Sequence, residues 1–237
     1  MTVDLPEVEI IGENAFRDNQ IASVSLPKVN SIEPGAFGNN LITKLNLPEV
    51  VYVGSASFIN NLIINVNLPK AQQIRDTAFK NNLITNLNLP EARQIGLGTF
   101  ANNLITNLNL PEARQIGEEA FIYNFLKELN LPNVDTIRQL AFAENTLTKV
   151  YIPNIKYIGK NTFAKNPALT EVHIYTNPAE LKLDDRVGNI LYSIFYGNDN
   201  QITIYIKNAN WKLAMEGKFQ DYNLDYENKK VIVKVLQ

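Results

Sequence analysis

The chain has 237 residues, with 22 Lys and Arg, 24 Asp and Glu, and a formal net charge of −2. This length allows one ordinary domain or two small ones, and the balanced charge provides no basic platform for a nucleic acid or an anionic membrane. The absence of Cys excludes disulfides and thiolate sites, and the single His excludes catalytic triads and multi-His metal sites. We therefore expect no metal, no cofactor and no nucleic-acid partner. No apolar run is long enough for membrane insertion.

A 21-residue repeat runs through most of the chain. Phe, Pro and Asn each recur at this interval in eight copies, and residues 81–96 and 102–117 are identical. A unit this short cannot enclose its own core, so each copy is expected to stack on its neighbours as one coil of a solenoid. The recurring Phe residues are Phe16, Phe37, Phe58, Phe79, Phe100, Phe121, Phe142 and Phe163.

The elements of one unit follow in chain order. Leu108 and Leu110 alternate with Asn, which is typical of a half-buried strand, and Pro111 ends that strand because it has no N–H for a ladder. Ile116 faces inward on the returning side, and the following turn is expected to be one tight helical turn that buries Phe121. Strands repeated once per coil in the same direction predict a parallel sheet.

The regular period breaks after the eighth copy. Residues 202–206 alternate as a strand, residues 211–220 have helical composition and residues 231–235 form a closing strand. A solenoid end exposes an apolar face and open strand edges, which must be covered. We therefore expect a solenoid of about eight coils over residues 1–175, and a degenerate ninth repeat with an α+β C-terminal cap over residues 176–237.

The unit resembles the BspA-like, Treponema-type leucine-rich repeat. Its elements recur together in a fixed order, as Leu131-Pro132, then Ile137, then Ala141-Phe142 in one copy. The resemblance covers about residues 5–175. Two departures are a shorter unit and Asn in place of the family's Cys, and neither carries a functional residue over. The resemblance implies a bacterial, extracellular or cell-surface protein that adheres to a host or matrix protein.

The expected function is a non-catalytic protein-binding module, because solenoid faces are extended and suit protein partners. The resemblance implies that this module serves adhesion and is a segment of a larger bacterial surface protein. The alternative is a passive spacer or scaffold. A more distant one is the non-catalytic part of an enzyme whose active site lies elsewhere. Carboxylate pairs such as Glu118-Glu119 lie on a repeated loop, which is not a catalytic cleft. A first unit beginning at Leu5 has no cap, which indicates missing upstream sequence and allows oligomerisation through that coil.

Outward positions of the strands are the candidate binding residues. Asn is a poor strand former, so its recurrence there needs a reason. The face either binds a partner or is a solvated surface kept polar against aggregation, with Asn–Asn amide ladders. The face lacks aromatic residues except at Tyr151. The candidate residues are Lys44, Asn46, Asn65, Asn67, Asn86, Asn88, Asn107, Asn109, Glu128, Asn130, Lys149 and Tyr151.

A second Asn column, three positions after each Phe, is expected to be structural. An amide at a coil corner can satisfy main-chain N–H and C=O groups of adjacent coils. The column comprises Asn19, Asn40, Asn61, Asn82, Asn103, Asn124, Asn145 and Asn166.

Other features have ordinary structural interpretations. His173 is expected to be a solvated strand residue, and the Asp184-Asp185 pair is weak evidence for a cation site. A Thr column that could indicate an ice- or glycan-binding array is interrupted by Ile64 and Lys127. That column comprises Thr43, Thr85, Thr106 and Thr148. The tail aromatics are expected in the core of the cap rather than in a ligand cage: Tyr192, Phe195, Tyr196, Tyr205, Trp211, Phe219, Tyr222 and Tyr226.

Overall fold

The computed structural model describes residues 1–184, 194–219 and 231–236. Over these residues the chain winds as a solenoid whose regular coils are 21 residues long, which confirms the predicted fold. Each regular coil contains a three-residue front strand and a two-residue back strand. The front strands are Thr2–Asp4, Ser23–Ser25, Lys44–Asn46, Asn65–Asn67, Asn86–Asn88, Asn107–Asn109, Glu128–Asn130, Lys149–Tyr151, Glu171–His173, Thr203–Ile206 and Ile232–Val235. The back strands are Ile10–Ile11, Ser31–Ile32, Tyr52–Val53, Gln73–Ile74, Gln94–Ile95, Gln115–Ile116, Thr136–Ile137, Tyr157–Ile158 and Lys182–Leu183.

All strand pairs within the described residues are parallel, and equivalent residues of successive coils face each other. The back strands form one continuous nine-stranded sheet. The front strands instead form three sheets, with breaks before Asn65–Asn67 and before Glu128–Asn130. Leu45 and Leu108, on the last strand before each break, are only half-buried because the next strand does not cover them.

The two breaks coincide with the two interruptions of the Thr column. Thr85 donates both its main-chain N–H and its hydroxyl to the carbonyl of Ile64, and the other Thr residues of the column repeat this pair of bonds on the preceding coil. Within residues 1–184 the structure shows no equivalent main-chain bond from Ile64 or Lys127. The Thr column therefore joins one front strand to the next.

The core is a stack of repeated side chains. Seven of the eight Phe residues are fully buried, and Phe16 in the first coil is only partly buried. Neighbouring rings from Phe16 to Phe163 are stacked, with centroids 5.1–6.1 Å apart. The inward Ile and Val residues of the back strands are 0–3% exposed, so each coil buries its apolar face against both neighbours.

The turn around each Phe differs from the expected helical turn. Glu119 and Tyr123 flank Phe121 with φ values of 54° and 56°, and equivalent residues of the other regular coils are also left-handed. Main-chain bonds from Ala120 to Gly117 and from Ile122 to Glu119 close two consecutive β-turns. Left-handed backbone excludes a helical turn, and it explains part of the Asn excess, because Asn tolerates this conformation better than most residues.

The first front strand is Thr2–Asp4, so the expectation that the first unit begins at Leu5 is wrong. Val3 of this strand pairs with Val24 of the next and is buried. The strand Thr2–Asp4 has only three residues, and so short an alternation does not indicate a strand in the sequence.

The C-terminal residues continue both layers of the solenoid. Lys182–Leu183 extends the back sheet, and Thr203–Ile206 pairs with Glu171–His173 on one side and with Ile232–Val235 on the other. The short 3-10 turn Ala209–Trp211 leads into the helix Lys212–Phe219, which buries Met215 and Phe219. The predicted positions Asp185, Tyr192, Tyr222 and Tyr226 lie outside the described residues. No helix among the described residues has the length and apolarity needed to cross a membrane.

Candidate functional site

Two amide ladders run along the central part of the front face. The ladders are Asn65–Asn86–Asn107 and Asn67–Asn88–Asn109. In each ladder the second and third Asn donate from Nδ2 to Oδ1 of the equivalent Asn in the preceding coil. These bonds are 3.2 Å long in the first ladder and 2.6–2.7 Å in the second. The ladders line a shallow depression of about 320 Å³. Asn86 and Asn107 also donate to the hydroxyls of Thr85 and Thr106, at 3.1 and 3.2 Å, so the face stabilises itself.

The structure divides the candidate binding residues among the three front sheets. Lys44 and Asn46 lie on the first sheet, where Asn46 donates to the Ser25 hydroxyl at 3.3 Å. The six Asn residues of the ladders lie on the second sheet. The third sheet carries the remaining four candidates, Glu128, Asn130, Lys149 and Tyr151. The candidates therefore lie on one side of the solenoid without forming one uninterrupted ladder.

The third sheet carries an aromatic cluster that the sequence analysis missed. The register places Tyr151, His173 and Tyr205 side by side on successive strands. The rings of His173 and Tyr205 are stacked with centroids 4.7 Å apart, and Tyr175 meets the Tyr151 ring edge-on at 5.7 Å. His173 is only 9% exposed, so the expectation of a solvated residue is wrong: its aromatic neighbours cover it.

Charged residues surround this cluster. Lys149 pairs with Glu171 at 3.2 Å, and the Lys207 ammonium lies 4.6 Å from the centre of the Tyr175 ring, within the range of a cation–π interaction. We name Tyr151, His173, Tyr175 and Tyr205, with Lys149, Glu171 and Lys207, the aromatic patch.

Protonation in the patch is set by burial and by these charges. Burial lowers the pKa of His173, and the hydrogen bond from Lys149 lowers the pKa of Glu171. Burial raises the pKa of Tyr175. His173 Nδ1 lies 3.3 Å from the Tyr175 hydroxyl, while Nε2 is 3.5 Å from a Glu171 oxygen, which is too long for a good hydrogen bond. At neutral pH the patch therefore presents a neutral imidazole with a poorly satisfied nitrogen among three Tyr rings.

A change of coil length concealed the patch in the sequence. Tyr151 and His173 are separated by 22 residues because the coil between them has one extra residue, and Tyr205 follows a still longer coil. Aligning the repeats with a one-residue gap at that insertion brings Tyr151 and His173 into one column. Such an alignment of the sequence would have revealed the patch.

The second Asn column faces the main chain. Asn103 Oδ1 accepts from the Ile84 N–H at 3.1 Å, and its Nδ2 donates to the carbonyls of Phe79 and Phe100 at 3.0 and 3.1 Å. The same bonds recur from Asn40 to Asn166, where each Asn is 0–5% exposed. Asn19 differs, because it is exposed and donates only to the carbonyl of Arg17.

The remaining candidates offer little to a ligand. Each Thr of the interrupted column donates its hydroxyl to a main-chain carbonyl, which argues against a ligand array. Asp184 accepts from the Tyr157 hydroxyl at 3.1 Å. Among the described residues there is no group of three His, Asp or Glu side chains suited to a metal ion.

Each regular coil after the first contributes one parallel front strand, a Phe to the core and a buried Asn at the corner. This architecture defines a leucine-rich-repeat protein. The model of the BspA type leucine rich repeat region matches residues 2–103 and 93–183, in 6 copies. The chain belongs to this family.

Two solved structures are similar to the whole chain. A leucine-rich repeat protein from Bacteroides ovatus is 18% identical with a TM-score of 0.57, and the match covers 100% of this chain and 69% of that one. The pneumococcal vaccine antigen PcpA is 18% identical with a TM-score of 0.51, covering 99% of this chain and 68% of that one. At this identity they share the fold alone. A search of curated proteins finds no significant match.

Proposed function

We propose that this chain is a non-catalytic protein-binding module of the adhesion type, part of a larger bacterial surface protein, and that it binds through its front face. The observation that carries this proposal is the aromatic patch at the C-terminal end of a polar, extended face. Tyr is one of the residues enriched among the few that carry most of the binding energy of protein interfaces. Membership of the BspA type leucine-rich repeat family supports the surface location.

The patch and the ladders have different roles in this proposal. The half-buried Tyr151, Tyr175 and Tyr205 are held by ring contacts, so little side-chain freedom is lost when a partner covers them. The Asn ladders supply a polar amide surface along the face at fixed intervals. The partner is therefore a protein surface with an apolar anchor for the patch and a polar rim for the ladders.

A passive spacer is the second candidate, and the ladders favour it. Each interior amide is satisfied by its neighbours, which is also how a solvated face resists edge-to-edge aggregation. A spacer needs no binding face, so the two candidates differ in whether the chain retains a partner that substitutions on the front face release.

A pull-down with matched variants separates these candidates. The tagged chain is presented to a panel of purified host matrix and serum proteins. Asn88→Lys with Asn109→Lys should abolish capture of any retained protein, whereas Gln94→Lys with Gln115→Lys adds the same charge to exposed back-strand positions and should leave it unchanged. Equal losses in both variants would overturn front-face binding. Failure of the wild-type chain to retain any panel member would favour the spacer.

A further inference from the structure

A row of exposed apolar side chains runs along one edge of the solenoid. In five successive coils the residue after the buried Asn is Leu or Phe, with 40–50% of its surface exposed. This leucine row comprises Leu41, Leu62, Leu83, Leu104 and Phe125. The column is polar in the coils on either side, at Gln20 and Thr146, so the row has definite ends.

The row is the main apolar feature of the surface formed by the described residues. Ile64 and Tyr123, 45% and 53% exposed, adjoin it on neighbouring columns. Together these seven residues are most of the twelve exposed large hydrophobic residues among the described residues. Seven side chains exposed to this extent amount to several hundred Å², which is at the upper end for a monomer and typical of an interaction site.

The main chain holds the row rigidly. The Leu83 N–H donates to the carbonyl of Ile63 at 3.0 Å, and the next residue, Ile84, is fully buried. The same arrangement recurs in each coil of the row, so every apolar side chain is fixed outward by an anchored neighbour. Successive members are one coil step apart, about 4.8 Å, and the row is about 19 Å long.

The columns beside the row are mostly uncharged. On one side lies a third amide ladder, in which each Asn donates to the Asn of the preceding coil. This ladder is Asn39–Asn60–Asn81–Asn102. On the other side lie Thr43, Ile64, Thr85 and Thr106, and a cation appears only at the Phe125 end, as Lys127.

We propose that the leucine row is the contact surface of an antiparallel, two-fold dimer of this chain. A second copy has the same coil step, so each residue of its row can lie opposite one residue of this row, with Leu83 against Leu83 and Leu41 against Phe125. A helical partner with a 5.4 Å pitch, or a strand with about 6.7 Å between same-face residues, loses register along the row. The uncharged flanks allow self-contact without like-charge repulsion.

Charge sets the direction of the pairing. In a parallel dimer Lys127 would face its own copy, whereas an antiparallel dimer places it at the Leu41 end of the partner, where the exposed Asp18 carboxylate accepts from Asn39 at 2.6 Å. A two-fold interface uses the same patch on both copies, and the apolar row with its amide and Thr borders provides such a patch. The front face and its aromatic patch remain available for another protein, so the dimer would present two binding faces.

Sedimentation velocity at about 50 µM chain measures the association directly. We expect a dimer for the wild-type chain and a monomer for Leu62→Gln with Leu104→Gln, because Gln is the residue that this column carries at position 20. The control is Leu97→Gln, an equally exposed Leu away from the row, which should remain dimeric. A monomeric wild-type chain, or a dimer that survives the row variant, would overturn the proposal.

Disulfide cross-linking tests the geometry and does not depend on the Gln variant folding. The chain has no Cys, so Leu83→Cys introduces a single thiol, which lies at the two-fold axis of the antiparallel dimer. It should form a covalent dimer under mild oxidation. Leu41→Cys alone should not, but it should cross-link to a Phe125→Cys chain in a mixture. Efficient Leu41→Cys homodimers would contradict the antiparallel arrangement.

Discussion

Replacing Asn103 with Ala tests whether the buried amide column holds the coils together. The substitution removes the acceptor of the Ile84 N–H, which has no other acceptor in the structure. The carbonyls of Phe79 and Phe100, which also lose a bond to Asn103, keep another donor. Phe79 O still accepts from Asn82 at 3.0 Å, and Phe100 O still accepts from Asn124 at 2.9 Å. One buried unpaired donor costs about 1–3 kcal/mol, and the small cavity adds to this. We expect a loss of about 2–3 kcal/mol.

Urea denaturation followed by circular dichroism measures this loss as a lower midpoint with an unchanged slope. The control is Asn19→Ala, because Asn19 occupies the same column but is exposed and bonds only within its own turn. Its effect should stay within about 0.5 kcal/mol. Equal effects for the two substitutions would refute the main-chain role of the column.

Three further predictions concern the core, pH and the C-terminal residues. Phe100→Ala should destabilise the chain by about 3–5 kcal/mol, and Phe16→Ala should cost less because that ring is only partly buried, as comparison of their urea midpoints will show. The folded-state pKa of His173 is below its ordinary value of 6.5, so the unfolded chain binds a proton first and thermal stability should fall as the pH drops below 6.5. The lowered pKa of Glu171 adds a further loss below about pH 4.5, and His173→Gln should flatten only the upper part of this dependence. A chain ending at residue 175 loses the strands that cover Glu171–His173 and should aggregate in light scattering, whereas soluble, monomeric and cooperatively folded products from both 1–175 and 176–237 would show that residues 176–237 are a separate domain.

The repeat made most of the core predictable, because a solenoid reduces a three-dimensional core to columns of equivalent positions. The Phe column and the inward back-strand column could be read directly from the 21-residue step. The helical turn could not be excluded in this way, since only the backbone shows that Glu119 and Tyr123 are left-handed. Their residue types are not typical of that conformation.

Interruptions of the pattern were harder to interpret than the pattern itself. In the sequence Ile64 and Lys127 only interrupt a Thr column, but the structure places the two breaks of the front sheets beside them. The leucine row was missed because Leu104 and Ile105 are adjacent apolar residues, and only the structure shows that one points outward. Residue type alone does not distinguish an outward Leu from a core Leu.

The central claim is that the front face binds a protein partner. Hydrogen–deuterium exchange of the chain, alone and with a partner retained in the pull-down, tests this most directly. We predict slower exchange in Lys149–Tyr151, Glu171–His173 and Thr203–Ile206 of the bound chain, and no change in the back strands Gln94–Ile95 and Gln115–Ile116. Protection confined to the back strands, with the aromatic patch unchanged, would contradict the account.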